Sequence, residues 1–324
     1  MYSLKELQTK VGQIFADENF GGTPSGLYDP IVYTLAQGGK RIRPVMLLAA
    51  TDLFGGDIEQ ARYAAIGIET FHNFTLLHDD LMDRSPVRRG QPTVYRKWNE
   101  NTAILSGDAM HILAWRYFIR QPHKNLQPIL QTFGDTCLQI HEGQQFDMNF
   151  ESRNDVTIDE YMEMIRLKTA VLLAGALKIG ALYADADKGD TEELYNFGID
   201  TGLAFQLRDD LLDAYGDTAT FGKQTGTDIK DNKKTFLLLT ALEQGNSNQQ
   251  QRLRELFATT PQDPTAKINE VLDIYNSLDI RHSVEQRIAQ LHDNAMRHLD
   301  RIQRPDDAKQ PLRQLACNLL DRNV

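Results

Sequence analysis

Two cysteines and two tryptophans in 324 residues rule out several classes of protein at once. Cys137 and Cys317 have no CxxC partner, so neither a disulfide framework nor a zinc knuckle can be built from them. Both lie in apolar, helix-like surroundings and are expected to be buried free thiols of a reducing compartment. No stretch approaches the roughly 18 apolar residues needed to span a bilayer. Residues 1–20 are amphipathic and mixed in charge, without the apolar centre of a signal peptide, so a cytoplasmic protein is expected. Net positive charge is missing too. Lys and Arg number 35 against 45 Asp and Glu, a formal charge of −10, which argues against a general nucleic-acid surface. Extended alternation of apolar and polar residues, the mark of half-buried strands, is hard to find.

What is present is helical periodicity. The composition is globular, with 41% hydrophobic and 25% charged residues, and apolar residues recur at i, i+3, i+4 and i+7. Helices are expected over 4–16, 43–54, 58–83, 103–120, 126–150 and 192–213. Another is expected to carry Lys168-Thr169 as far as Ala184, with three or four more after Asp231. The stripe Leu4, Leu7, Val11, Ile14 and Phe15 is expected to face the protein itself, not a membrane. No composition shift marks a boundary. The expectation is one all-α domain over 1–324, a helical bundle with a central active-site cavity between facing helices.

Two carboxylate triplets stand out, Asp79-Asp80-Leu81-Met82-Asp83 and Asp209-Asp210-Leu211-Leu212-Asp213. Residues i and i+4 share a helix face, so Asp79 and Asp83 point together, as do Asp209 and Asp213. Asp80 and Asp210 sit about 100° round the helix. Like charges at this spacing destabilise a helix by a few tenths of a kcal/mol per pair. Both triplets lie in apolar sequence, unlike a solvated acidic face. Mg²⁺, which takes oxygen ligands and completes its shell with water and phosphates, is the natural counter-charge.

Other motifs accompany the triplets. They are Gly38-Gly39-Lys40-Arg41-Ile42-Arg43-Pro44, His72, Arg88-Arg89-Gly90, Ser106-Gly107-Asp108, Gly143-Gln144 with Asp147, Lys168-Thr169, Phe205-Gln206, Gly222-Lys223, Gly226-Thr227-Asp228 and Lys233 before Thr235. In this order the set resembles the trans-prenyltransferases, the isoprenyl diphosphate synthases, over about residues 28–240. Leu237 departs from the family, which commonly has Pro there; this leaves the start of that helix open.

The resemblance implies a Mg²⁺-dependent prenyltransferase that joins an allylic diphosphate (dimethylallyl, geranyl or farnesyl) to isopentenyl diphosphate. It implies three Mg²⁺ ions, held by Asp79, Asp80 and Asp83 from one side and by Asp209, Asp210 and Asp213 from the other. Arg88, Lys168, Lys223 and Lys233 would bind the allylic diphosphate. Lys40, Arg43, His72 and Arg89 would bind isopentenyl diphosphate. Thr169, Gln206 and the Lys168 carbonyl would face the allylic cation. A homodimer is implied as well.

Phe74, five residues before Asp79, and Phe71, one turn deeper, are candidates for the cavity floor that limits product length. Their position resembles short-chain members, with geranylgeranyl diphosphate favoured over farnesyl diphosphate and over longer products. A terpene cyclase would not need Lys40, Arg43, His72 and Arg89. A non-catalytic partner subunit would be expected to lose acidic positions, and all six are present.

Overall fold

Capping residues set where the helices of this computed structural model begin; it describes residues 1–216 and 225–321. The Ser3 hydroxyl accepts from the Glu6 amide while Glu6 accepts from the Ser3 amide, a reciprocal box that starts α1 (Leu4–Asp17). The stripe Leu4, Leu7, Val11, Ile14 and Phe15 is buried, as its spacing predicts. Asp57 caps the long α4, and Asn99, accepting from the Thr102 amide at 2.8 Å, starts α6 earlier than periodicity alone places it.

The described residues group into two compact units, each discontinuous in sequence. The first holds Met1–Phe133, Gly175–Thr191 and Arg304–Leu312. It contains α1, α2 (Ser25–Ala36), α3 (Ile42–Leu53), α4 (Ile58–Met82), the short α5 (Val94–Lys97) and α6 (Glu100–Phe118). Its organising element is α4, which packs against α3 and α6 and buries Ile66, Ile68, Phe71, Phe74 and Leu77. Between α4 and α5 lies a tight antiparallel hairpin, β1 (Val87–Arg88) and β2 (Gln91–Pro92), turned at Arg89 (φ 52°) and Gly90 (φ 75°). Two positive φ values suit a two-residue hairpin turn.

The second unit holds Gly134–Ala174, Glu192–Gln303 and the residues from Arg313 on. It takes in most of α7 (Leu126–Ser152), α8 (Ile158–Ile165) and a π-helical turn over Arg166–Ala170 that leads into α9 (Val171–Tyr183). Then come most of α10 (Lys188–Tyr215), α11 (Thr227–Lys230), α12 (Phe236–Gln244), α13 (Ser247–Leu256), α14 (Thr265–Ser277), α15 (Ile280–Arg301) and part of α16 (Asp306–Leu320). Leu203, Leu207 and Leu211 of α10 share a core with Leu237, Leu238, Tyr275 and Val284. Leu237, the departure from the family's Pro, is buried in that core one residue inside α12.

Cys137 is buried, but Cys317 is exposed, against expectation. On α16 the buried stripe runs through Leu312, Leu315, Ala316 and Leu319, and Cys317 falls off it. Among the described residues no helix is long and apolar enough to cross a membrane.

Candidate active site

In the first unit, Asp79 and Asp80 occupy the last turn of α4, and Asp83 is its C-cap. A helix C-terminus is itself negative, so this end concentrates charge. Arg88 reaches back from β1. Its Nε donates to Asp80 Oδ1 at 2.8 Å and its Nη2 to Asp79 Oδ2 at 3.4 Å. Burial pushes Asp80 up to about 6, although Arg88 pulls the other way. Arg88 ends β1 whereas Arg89 lies in the turn at φ 52°, and the two side chains part there. Arg89 donates from Nη1 to the Gly38 carbonyl.

Arg89 thereby joins a basic cluster. Gly38 (φ 74°) and Gly39 (φ 126°) hold backbone conformations that suit glycine, and a Cβ on Gly39 would lie 2.9 Å from the Arg89 guanidinium. The exposed Lys40 follows. Arg43, in the first turn of α3, donates from Nη1 to His72 Nε2 at 3.1 Å. Arg has no acceptor, so His72 receives this bond on an unprotonated nitrogen and carries its proton on Nδ1. Desolvation, then Arg43, Arg89 and Arg88, hold His72 well below its usual pKa, which agrees with a neutral ring. Sequence reasoning missed Glu69, three residues before His72 on α4 and only 4% exposed. Burial raises its carboxyl, opposed by Arg43, Arg89 and Arg41. Its i−3 spacing from His72 is the signal that points to it. A small cleft beside the cluster is lined by Thr34, Gln37, Asn73, Asp80, Arg88 and Arg89.

In the second unit, Lys168 and Thr169 lie on the π-helical turn. One neighbouring glycine makes room for that turn, since a Cβ on Gly143 would sit 2.4 Å from the Lys168 amide nitrogen. Lys168 Nζ bonds Asp147 Oδ2 at 2.6 Å. The Thr169 hydroxyl donates to Gln206 Oε1 at 3.0 Å, and Gln206 Nε2 donates to Asp210 Oδ1 at 3.0 Å. The buried Tyr161 hydroxyl donates to the other oxygen, Asp210 Oδ2. Burial pushes Asp210 up to about 7, with Asp209 and Asp213 adding to the rise. Asp213, 7% exposed, accepts from the Thr227 hydroxyl and from the Asp228 amide at 2.9 Å. The Lys233 amide donates to the Asp228 carbonyl at 2.9 Å, which ties Lys233 to the same turn. Tyr161 carried no sequence signal, because a Tyr on an amphipathic helix reads as ordinary core. Lys223 lies outside the described residues.

Phe71 and Phe74 are buried side by side, ring centroids 5.4 Å apart, and Phe74 stacks on His111 of α6 at 5.0 Å. Among the described residues no three His, Cys, Asp or Glu side chains converge as a ready metal cage. Mg²⁺ is usually held by one or two carboxylates and filled out by water and phosphate. The donor set fits. All six motif groups are hard oxygen donors, and two of them are held high by burial and neighbouring negative charge.

The sequence profile of the polyprenyl synthetase family matches residues 24–275. The chain belongs to this family. A short-chain isoprenyl diphosphate synthase of Methanothermobacter thermautotrophicus is 36% identical over 301 residues, 93% of this chain and 91% of that one. A geranylgeranyl pyrophosphate synthase of Geoglobus acetivorans is 42% identical over 224 residues, covering 68% and 70%. A crystal structure of a geranylgeranyl pyrophosphate synthase superimposes with a TM-score of 0.94 at 39% identity, over 100% of both chains. Polyprenyl synthetases are all-α prenyltransferases acting on isoprenoid diphosphates, and they generally use Mg²⁺. The all-α expectation therefore holds, and the chain is a short-chain prenyltransferase of this family.

Proposed function

We propose that the chain, acting as one domain, condenses an allylic diphosphate with isopentenyl diphosphate head to tail and releases pyrophosphate, with geranylgeranyl diphosphate as product. One observation carries this reading over a cyclase. Arg88 and Arg89 adjoin in sequence but serve different groups, Arg88 the carboxylates of α4 and Arg89 the cluster of Arg43 and neutral His72. A cyclase, which ionises a single diphosphate, has no use for the second cluster. We assign Lys40, Arg43, His72 and Arg89 to isopentenyl diphosphate, and Arg88, Lys168, Lys223 and Lys233 to the allylic diphosphate.

Asp79, Asp80, Asp83, Asp209, Asp210 and Asp213 would hold three Mg²⁺ ions. When bound, Mg²⁺ supplies the positive charge that binds a diphosphate and stabilises it as a leaving group. The allylic carbon–oxygen bond breaks and pyrophosphate leaves. The Thr169 hydroxyl oxygen, Gln206 Oε1 and the Lys168 carbonyl present negative dipoles to the allylic cation. The double bond of isopentenyl diphosphate attacks that cation, and pyrophosphate takes the proton lost from the adduct. Phe74, backed by Phe71, limits the chain to C20, with C15 as the alternative product. A homodimer is in keeping with the exposed apolar positions Leu105, Ile112 and Ile119, seven residues apart along and just past α6.

The test is to incubate the purified chain with Mg²⁺, isopentenyl diphosphate and each allylic primer, and to measure product length by chromatography. A C20 product is expected. A C15 product selects the farnesyl alternative, and no elongation of any primer sinks the reading. Light scattering tests the dimer, where a monomeric mass would count against it.

A further inference from the structure

We propose that Tyr161 is a positioning residue for carbon–carbon bond formation, fixing through Asp210 the direction in which the Gln206 amide points. The proposal rests on the prenyl-transfer reading above. Tyr161 lies on α8 and is 3% exposed, and its hydroxyl donates to Asp210 Oδ2. Gln206 and Asp210 sit one turn apart on α10. The remaining oxygen, Asp210 Oδ1, accepts from Gln206 Nε2 at 3.0 Å. The far end of the amide, Oε1, accepts from the Thr169 hydroxyl at 3.0 Å.

Two links in this chain have a fixed polarity. An ionised carboxylate can only accept, and an amide has one donor end and one acceptor end. In its ionised form, which a nearby cation favours, Asp210 therefore dictates that Gln206 turns its NH₂ inward and its oxygen toward Thr169. Shape alone would not decide this, because the two ends of an amide are nearly the same size. Tyr161 in turn holds the carboxylate, which would otherwise be free to rotate about its own axis. Each Asp210 oxygen accepts one of these bonds, so Asp210 anchors Gln206 alongside any part it takes in holding an ion. Without the Tyr161 hydroxyl, the carboxylate can turn away from Gln206 Nε2, and the released amide can flip and present its positive end where the cation forms. That error costs one hydrogen bond in the ground state and is felt most as charge develops.

Tyr161→Phe is the test, in the full chain with Mg²⁺ and both diphosphates. It should lower kcat roughly tenfold or more, a loss of the size found when an outer-shell partner is removed. The KM of each diphosphate, and the calorimetric affinity for pyrophosphate with Mg²⁺, should stay within about twofold. Asp210→Asn should lose at least as much. If its Oδ1 stays with Tyr161, its NH₂ meets Gln206 and forces the flip. The double variant should be no worse than Asp210→Asn alone, because the two residues act in one chain.

An unchanged kcat in Tyr161→Phe overturns the proposal. So does a loss confined to KM or to the pyrophosphate affinity, which would place Asp210 on the ion instead. If Tyr161→Phe melts far below wild type, Gln206→Glu probes the same chain from its other end. A carboxylate there cannot donate to Asp210, so kcat should fall with KM unmoved, and wild-type kcat would overturn the idea. A wild-type chain that elongates nothing sinks the parent reading and this one with it. An active wild type with an unaffected Tyr161→Phe sinks this one alone.

Discussion

At the end of α4 the second aspartate of the motif, Asp80, is held by the Arg88 guanidinium; near the end of α10 its counterpart, Asp210, is held by a tyrosine hydroxyl and a glutamine amide. The two motifs have the same spacing, and the same burial of the middle aspartate, at 5% and 6% exposure. A guanidinium cancels charge, whereas neutral donors orient a carboxylate and leave its charge in place. The outcome differs accordingly. Burial pushes Asp80 up to about 6 against the pull of Arg88, and Asp210 up to about 7 against the pull of two neutral donors, Tyr161 and Gln206. The middle aspartate of the second motif is thus set by the direction of dipoles. That of the first is tuned by the charge of Arg88.

The largest effect expected from this contrast is on turnover. Asp79→Ala and Asp209→Ala should each lower kcat by about 10²–10³-fold or more, the loss seen when one electrostatic contact to a developing charge is removed. Steady-state assays with saturating Mg²⁺ decide it, and near-normal turnover in either variant would take that aspartate out of the site. If both fall but only one is partly rescued by raised Mg²⁺, the two motifs differ in how they depend on the ion.

The second expected effect concerns something that only the α4 side carries. Phe74→Ala should lengthen the product by at least one isoprene unit. It should also cost about 3–5 kcal/mol of stability, because a buried ring is lost beside Phe71 and His111. Product chromatography and denaturant melts measure the two separately. A longer product with little loss of stability would show a site that collapses around the gap. An unchanged product would place the floor elsewhere.

Much of this was legible in the sequence, and the rest was hidden for identifiable reasons. Helix positions followed from periodicity and caps, and the metal-seeking carboxylates from i,i+4 spacing. The hairpin at Val87–Pro92 was not legible. Two residues per strand are too few to alternate, and its turn uses Arg89, whose positive φ no propensity predicts. The π-helical turn at Lys168 was hidden too. It depends on the close approach allowed by Gly143, 25 residues earlier in the chain (168 − 143), which only the tertiary structure reveals. Cys317 misled because apolar neighbours on both sides of a helix residue do not say which face it occupies. Tyr161 meets Asp210, 49 residues further along the chain, and Glu69 faces Arg43 and Arg89 from inside an apolar stretch where only its spacing from His72 hints at it.

The third effect is on pH dependence, and its sign follows from the raised carboxyl groups. A folded-state pKa above the unfolded value means the native protein binds more protons in that window, so stability falls as pH rises through it. Asp80 and Asp210, with unfolded values of 3.8, should each withdraw stability on the order of 1–3 kcal/mol by pH 7 in the metal-free protein. Glu69 and Asp228, both raised by burial, act in the same direction. His72 opposes them. Its depressed pKa gives stability that is present above 6.5 and lost as pH falls through that value. The carboxylates outnumber it, so the melting temperature without Mg²⁺ should decline from about pH 5 to pH 7, and Mg²⁺ with pyrophosphate should flatten the slope. Asp80→Asn should remove the part near pH 6 and Asp210→Asn the part near pH 7. A slope of the opposite sign, or one unmoved by either variant, would break the proposed difference between the motifs.

The smallest effect tests whether the neutral-donor end depends on the helix that delivers Tyr161. That helix, α8, is started by a capping box in which Thr157 accepts from the Glu160 amide and Glu160 accepts from the Thr157 amide. Glu160 also meets Arg153 through both carboxylate oxygens, at 2.8 and 3.2 Å. Thr157→Ala removes only the hydroxyl and should cost about 0.5–2 kcal/mol. Tyr161 lies one turn further in, and its amide bonds the Thr157 carbonyl, which the substitution keeps. Turnover should therefore change by less than about twofold while the denaturation midpoint shifts. A loss of kcat comparable to that of Tyr161→Phe would mean that the hydroxyl bond to Asp210 is positioned by the helix start, and that the second motif is a looser structure than its buried hydrogen bonds imply.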